Sequence, residues 1–166
     1  MCDEKDIELL TQMPEYVQDQ IYYKFLHMKF LKDFEKYFSF EKYFTRLKYN
    51  FYSWKDQMYR DFMTQILRSL EPRREESNTF LYYELDDFSE VLFFDKGQVD
   101  IGFEINKKKR YVLRRWNNII IADQGCTFNQ NSEFIYRVYE ECEGYSIRRN
   151  CWREILESDE YPELAQ

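Results

Sequence analysis

Val91-Leu92-Phe93-Phe94-Asp95-Lys96-Gly97-Gln98-Val99-Asp100-Ile101 is the stretch that decides the fold of this chain. Four consecutive apolar residues lead into two charged ones and a glycine. Strict alternation follows, with Val99, Ile101, Phe103 and Ile105 on one side and Gln98, Asp100, Gly102, Glu104 and Asn106 on the other. A period of two over this length belongs to a strand with one buried and one wet face. Gly97 can supply the positive φ that a tight reversal demands, so Asp95-Lys96-Gly97 reads as a hairpin turn between two strands.

Downstream, further strands are expected at Tyr111 to Trp116, Ile119 to Ala122, Glu133 to Tyr139 and Tyr145 to Arg148, a spacing that fits a small antiparallel roll or barrel. Asn150 is placed to cap a closing helix that runs through Leu156. Upstream the period lengthens. Val17, Ile21, Phe25 and Met28, with a parallel set at Leu26, Phe30, Phe34 and Tyr37, give a helix from Pro14 with a wide apolar face, one that calls for a neighbour beyond its own small domain. Ser39 to Trp54 is aromatic and basic without clean periodicity. Phe62, Ile66 and Leu70, flanked by Met63 and Leu67, mark a second helix that Glu71-Pro72 should end. The fold class is therefore α+β: N-terminal helices over 1–71, an antiparallel β-roll of jelly-roll type over 72–149, and a short closing helix with a tail over 150–166.

With 166 residues, 44% of them hydrophobic, the chain can bury one real core, and 20% aromatic content separates it from disordered sequences. A formal charge of −7 offers no general attraction to nucleic-acid phosphates. Lys107-Lys108-Lys109-Arg110, with Arg114 and Arg115, is the basic exception; it reads as a solvated hairpin loop that could attract an anion locally. Cys2, Cys126, Cys142 and Cys151 form no CxxC pair, which fits reduced thiols in a cytosolic setting rather than a zinc site or a disulfide framework. Neither a run of some 18 apolar residues nor a leader-like start is present, so the chain is expected neither to cross a membrane nor to be exported.

Catalysis needs a nucleophile, a base or a metal site. His27, the only histidine, lies on the aromatic helix with no Cys or Ser near it in sequence to form a dyad. Phosphate loops, dinucleotide loops and calcium loops are absent, and Asp86-Asp87 and Glu140-Glu141-Glu143 read as ordinary acidic loop residues. The expectation is a non-enzymatic protein without a metal.

These residues resemble the cyclic-nucleotide-binding fold of the hyperpolarization-activated, cyclic-nucleotide-gated and ether-à-go-go type cation channels. Leu70 to Glu84 is similar to the end of that domain's leading helix and its first two strands, with Glu84 as the acidic residue. Val91 to Ile101 fits its aromatic, hydrophobic, x-x-Gly-x-Val-x-Val signature through Phe93, Gly97, Val99 and Ile101. Gly144 to Ile147, followed by Asn150 to Leu156, is similar to its last strand and B helix. The Pro14 to Phe38 helix resembles the later helices of the C-linker. The likeness covers roughly Pro14 to Leu156, is most specific over Phe80 to Ile105, and in composition looks like ciliate members of the group. It implies a regulatory, gating and assembly module at the cytosolic face of a membrane, belonging to a cation channel, potassium-selective or related. The implied partners are other subunits of a channel tetramer, met through the N-terminal helices, and the chain's own transmembrane pore domain if this is a fragment.

Ligand-binding members of that family carry a phosphate-binding cassette with a Phe-Gly-Glu run, whose Glu holds the ribose hydroxyl, and an Arg that pairs with the cyclic phosphate. Here the corresponding stretch is Ile119 to Ser132, which has neither. Charge-assisted hydrogen bonds are worth about 1.5 to 3 kcal/mol each. Losing two weakens a ligand by roughly 3 to 6 kcal/mol, about a hundredfold to ten-thousandfold. Asp123, Gly125, Cys126, Asn131, Ser132 and Arg137 are the candidates for what remains of the pocket. Gly125 and its neighbours could form an anion nest that Arg137 or the basic loop approaches, whereas Asp123 facing the pocket would repel a phosphate. The resemblance therefore implies no bound cofactor, with a working cAMP or cGMP sensor, in a channel or a kinase-type regulatory subunit, as the alternative. Tyr161 to Leu164, in a tail that Pro162 interrupts, could fold back as an internal ligand.

Overall fold

The computed structural model describes residues 12–14, 17, 27–38 and 57–157. The chain divides into two compact units, Met1–Arg68 and Ser69–Gln166. Ser39 to Trp54, most of the expected Pro14 to Phe38 helix before residue 27, and the tail at Tyr161 to Leu164 lie outside the described residues.

In the first unit, the amide of Val17 bonds the carbonyl of Pro14 at 2.9 Å, and α1 spans Met28–Phe38. Its buried line is Phe30, Phe34 and Phe38, with ring centroids 5.0 and 6.0 Å apart along the i, i+4, i+8 row. Phe38 takes the place expected for Tyr37, and Met28, expected on an apolar stripe, is exposed. α2, Gln57–Arg68, buries Tyr59, Phe62, Met63, Ile66 and Leu67 at helical spacing. The Tyr59 hydroxyl donates to the carbonyl of Phe38 at 3.3 Å, satisfying one of the acceptors that a helix end leaves open. α2 stops at Arg68, earlier than the Glu71-Pro72 expected from sequence.

The second unit begins with β1, Glu71–Glu75, so Pro72 lies inside a strand instead of ending a helix. β1 is an edge of the sheet, where a missing N–H is tolerated. After it come β2 (Phe80–Tyr82), β3 (Glu90–Ile105), β4 (Lys108–Trp116), β5 (Ile119–Ile121), α3 (Asp123–Phe128), β6 (Ile135–Arg148) and α4 (Arg149–Leu156). The sheet runs β1-β6-β3-β4, with β2 also on β6 and β5 also on β3, and all pairs are antiparallel.

The expected hairpin at Asp95-Lys96-Gly97 does not form. β3 is one 16-residue strand, and both of its halves pair with β6, from Glu90↔Arg148 to Gly102↔Ile135. Asp95 to Gly97 is instead a bulge, with register shifts between Phe94 and Lys96, Lys96 and Gln98, and Gln98 and Val99. A glycine with φ near +99° serves a bulge as well as a turn, which is why the local sequence misleads. The same level is irregular on both neighbours. Asn117 and Asn118, both at positive φ, separate β4 from β5, and on β6 the pairing steps from Glu143 to Glu140. Glu133 to Tyr139 and Tyr145 to Arg148, expected as two strands, are parts of the single strand β6 from Ile135 on.

Before the bulge, Val91, Leu92, Phe93 and Phe94 are all buried, so this part of β3 is covered on both faces. Each such side chain contributes about 2 kcal/mol through burial. After the bulge the expected alternation breaks down, since Asp100 and Gly102 are buried along with Val99. Val99 is buried, Ile101 and Phe103 are half-buried, and Ile105 is exposed next to the turn. That turn is Asn106-Lys107, both left-handed, a two-residue hairpin, so Lys108 to Arg110 belong to β4 and not to a loop. α4 lays Trp152 near the Phe93 ring, centroids 6.2 Å apart. Its cap is Arg148 rather than Asn150, which is inside the helix, and the Arg149 amide finds the carbonyl of Ser89 at 2.9 Å.

A Cβ at Gly97 would run into the Glu141 carbonyl and lie 2.7 Å from Cys142 Cα. Gly97→Ala is therefore expected to lower stability by about 2 kcal/mol or more, from the strained φ and this collision together. A urea midpoint equal to that of the parent chain would show that the bulge does not require glycine.

Candidate functional site

The segment between β5 and β6 does form a short helix. Ile119 and Ile121 anchor β5 in the core, Ala122 turns the chain at φ 72°, and α3 follows with its first backbone bond from Cys126 N to Ala122 O at 2.8 Å. Asn129 closes it in the left-handed conformation, donating its amide to Gly125 O. The Thr127 hydroxyl donates to Asp123 O at 2.7 Å and accepts the indole N–H of Trp152 at 2.9 Å, which ties α3 to α4.

Below α3 lies an aromatic cluster. A side chain at Gly125 would enter the Phe88 ring, and Phe88 meets Tyr82 at 4.8 Å and Tyr136 at 6.4 Å between centroids. Tyr82 and Phe88 are buried, and the Tyr82 hydroxyl is spent on the carbonyl of Glu90 at 3.0 Å. Burial holds the Tyr136 phenol above its ordinary pKa, and the charges of Asp123 and Glu133 add to this. Burial also pushes the Cys126 thiol up to about 11, against a partial pull down from Arg149. At neutral pH Cys126 is a protonated core thiol, not a nucleophile.

Three of the six residues expected in the pocket, Asp123, Gly125 and Cys126, come together on α3. Asn131 and Ser132 serve the loop instead. Asn131 donates its side-chain amide to Leu85 O at 2.8 Å and pairs with Asp87, while the buried Ser132 donates its hydroxyl to Phe134 O at 2.7 Å and its amide to Asp86 O at 2.9 Å. Both are consumed in holding 85–87 against 131–134.

Arg137 does not join them. Consecutive strand residues point to opposite faces, so Arg137 leaves β6 on the face away from Tyr136 and the aromatic cluster that underlies α3. There it reaches Asp100 on the neighbouring strand, Nη2 to Oδ2 at 2.7 Å, and its guanidinium lies 4.1 Å from the centre of the Tyr111 ring. Arg114 approaches the same carboxylate from the other side, Nε to Oδ1 at 2.6 Å, with its guanidinium over Tyr139. Register explains the triad, because Asp100 is directly opposite Arg114 on β4 and Arg137 on β6. Asp100, expected on the wet face, is only 2% exposed. Desolvation works to raise its pKa, but the hydrogen bonds and charges of Arg114 and Arg137 outweigh it and hold the carboxyl below the usual value.

Among the signature residues, Phe93 and Val99 are core, Ile101 is half-buried, Gly97 sits in the bulge and Gly144 is opposite Phe94. Glu84 follows β2 and accepts the amide of Glu104 at 3.1 Å, which pins the outer end of β3. Sequence reading missed Asp100, Arg149 and Trp152. The two Arg that hold Asp100 are 14 and 37 residues away, and no spacing rule connects them before the register is known.

No family model matches the chain, and no curated protein matches it. Solved structures do. The regulatory domain of Toxoplasma gondii PKA with cAMP is similar at a TM-score of 0.53 and 15% identity, over 57% of this chain and 36% of that one. The c-di-GMP responsive global regulator CLP of Xanthomonas campestris is similar at 0.52 and 16%, over 63% of this chain and 52% of that one. The match thus spans about a third to a half of those proteins' lengths. The antiparallel unit has the fold of cyclic-nucleotide-binding domains.

Removing one partner of a buried ion pair is costly, although the partly exposed Arg side chains moderate the loss here. Asp100→Asn is expected to destabilise the chain by about 2 kcal/mol at pH 7. Since the folded carboxyl has the lower pKa, its contribution is complete above the unfolded value of about 4 and is lost as pH falls through the folded one. The gap between parent and variant should therefore narrow at pH 3. Urea midpoints at the two pH values check this, and an undiminished gap at pH 3 would contradict the triad's electrostatic role.

Proposed function

We propose that this chain is a non-catalytic regulatory module that keeps a cyclic-nucleotide-binding fold without its nucleotide, and that it serves a cation channel, potassium-selective or related, as a cytosolic gating and assembly element. The observation that carries the first part is the chemistry around α3. Residues 119–132 contain no Lys or Arg, Asp123 occupies the first turn of α3, and an aromatic cluster lies beneath Gly125. A cyclic phosphate in a partly dry site needs charge-assisted donors. The nearest cation suggested by sequence, Arg137, is held by Asp100 on the other face of the sheet.

The channel part rests on the resemblance of the N-terminal helices and of Glu84, Phe93, Gly97, Val99, Ile101 and Gly144 to the C-linker and roll of such channels. In this reading the roll's position biases the linker helices and through them a pore, a population shift that needs no ligand. The helices meet other subunits of a tetramer. No helix among the described residues is long and apolar enough to cross a membrane, so the reading requires spanning helices elsewhere in a longer protein. A second reading, a working cAMP or cGMP sensor, draws on the electrostatic pull of Arg149 at Cys126, which brings one cation to α3.

Isothermal titration with cAMP and cGMP up to millimolar concentration should give no saturable heat. Saturation near micromolar would refute the silent site and favour the second reading. The channel assignment is tested on the transcript, which should encode six membrane-spanning helices and a pore loop upstream; a stop codon in frame just before Met1 would overturn it.

A further inference from the structure

We propose that the open edge of β4 is a docking site for an extended acidic segment of a partner protein, which joins the sheet there as an added strand. Among the described residues β4 pairs only with β3, so the backbone N–H and C=O groups along its other side have no strand to bond. Such an edge is a template for one more strand. Its length, nine residues, is enough to bind a peptide through main-chain bonds.

Charge selects the occupant. β4 reads Lys-Lys-Arg-Tyr-Val-Leu-Arg-Arg-Trp over 108–116, five cations and no acid on a chain of net charge −7. Asp100 engages Arg114, and Lys109 lies over the rings of Phe80 and Tyr83 at 3.8 and 4.6 Å. Lys108, Arg110 and Arg115 are exposed, with no side-chain hydrogen bond or ion pair among the described residues. Two β4 edges brought together would oppose five cations to five, which disfavours a second copy of this chain. A strand carrying Glu or Asp meets the opposite sign.

Apolar contact is available as well. Val112 is the extra residue of a bulge, since Ile101 pairs with Leu113 and Gly102 with Tyr111, and both Val112 and Trp116 are 65% exposed. Exposed apolar residues between cations suit a segment that alternates acidic and aliphatic side chains. The rival occupant is an anionic membrane surface, which would use the same cations and Trp116 but no backbone pairing.

The probe is a fluorescent eight-residue peptide of alternating valine and glutamate, with an analogue N-methylated at every second amide so that charge is kept and backbone donors are lost. Anisotropy should show saturable binding of the first, weakened by salt, and at least tenfold weaker binding of the second. The triple variant Lys108→Glu, Arg110→Glu, Arg115→Glu should lose tenfold or more with its circular dichroism unchanged. If it fails to fold, the Gln triple at the same positions takes its place. Equal binding of the two peptides, no binding of either, or stronger binding to vesicles with one-third phosphatidylserine than to the peptide would each overturn the proposal. None of these outcomes depends on whether cyclic nucleotide binds.

Discussion

The long antiparallel pairing of β3 with β6 is the constraint from which the rest of the sheet follows. It holds Glu90 against Arg148 at one end and Gly102 against Ile135 at the other. Every other strand is placed by one member of this pair, β1 and β2 by β6, β4 and β5 by β3. Two strands of this length carry side chains to fixed faces for their whole course, unless an odd residue is inserted. The bulge at Asp95 to Gly97 makes that insertion, matched by Asn117-Asn118 on one side and the step from Glu143 to Glu140 on the other. A bulge kinks a strand and increases its twist, and the strand break at Asn117-Asn118 at the same level concentrates the effect on a line across the sheet. Gly97 is the residue that lets the β6 backbone come close enough for this.

What surrounds α3 is a consequence. Because Tyr136 and Arg137 are neighbours on β6, one must face the aromatic cluster under α3 and the other must leave it. The apolar partner stays under the helix while the cation is drawn to Asp100 on the opposite face. The helix itself is held by ordinary packing: Phe88 against Gly125, and the Trp152 indole on Thr127.

Much of this was legible along the chain. The succession of helical and then strand period, the apolar run at Val91 to Phe94 and the closing helix to Leu156 all appear in the structure, although the first strand already begins at Glu71, since each depends on which side chains can share a buried face. The errors lie where a local signal has two solutions. Lys96-Gly97 suits a hairpin and a bulge equally, and only the continuous partner β6 selects the bulge. Pro72 ends helices but also tolerates an edge strand. Asn150 is a good cap residue, yet the Ser89 carbonyl, brought there by the β2–β3 connection, already serves the helix start.

By itself, then, the sequence determined the coarse succession of helices, strands and a closing helix, the absence of cations from residues 119–132 and the concentration of them on β4, because period and charge belong to the residues whatever their neighbours. The tertiary structure alone decided that Asp95 to Gly97 continues a strand instead of reversing it, and that Asp100 is a buried anion between two arginines. Both depend on register, the pairing of positions 14 to about 60 residues apart, and register is set only when the strands meet.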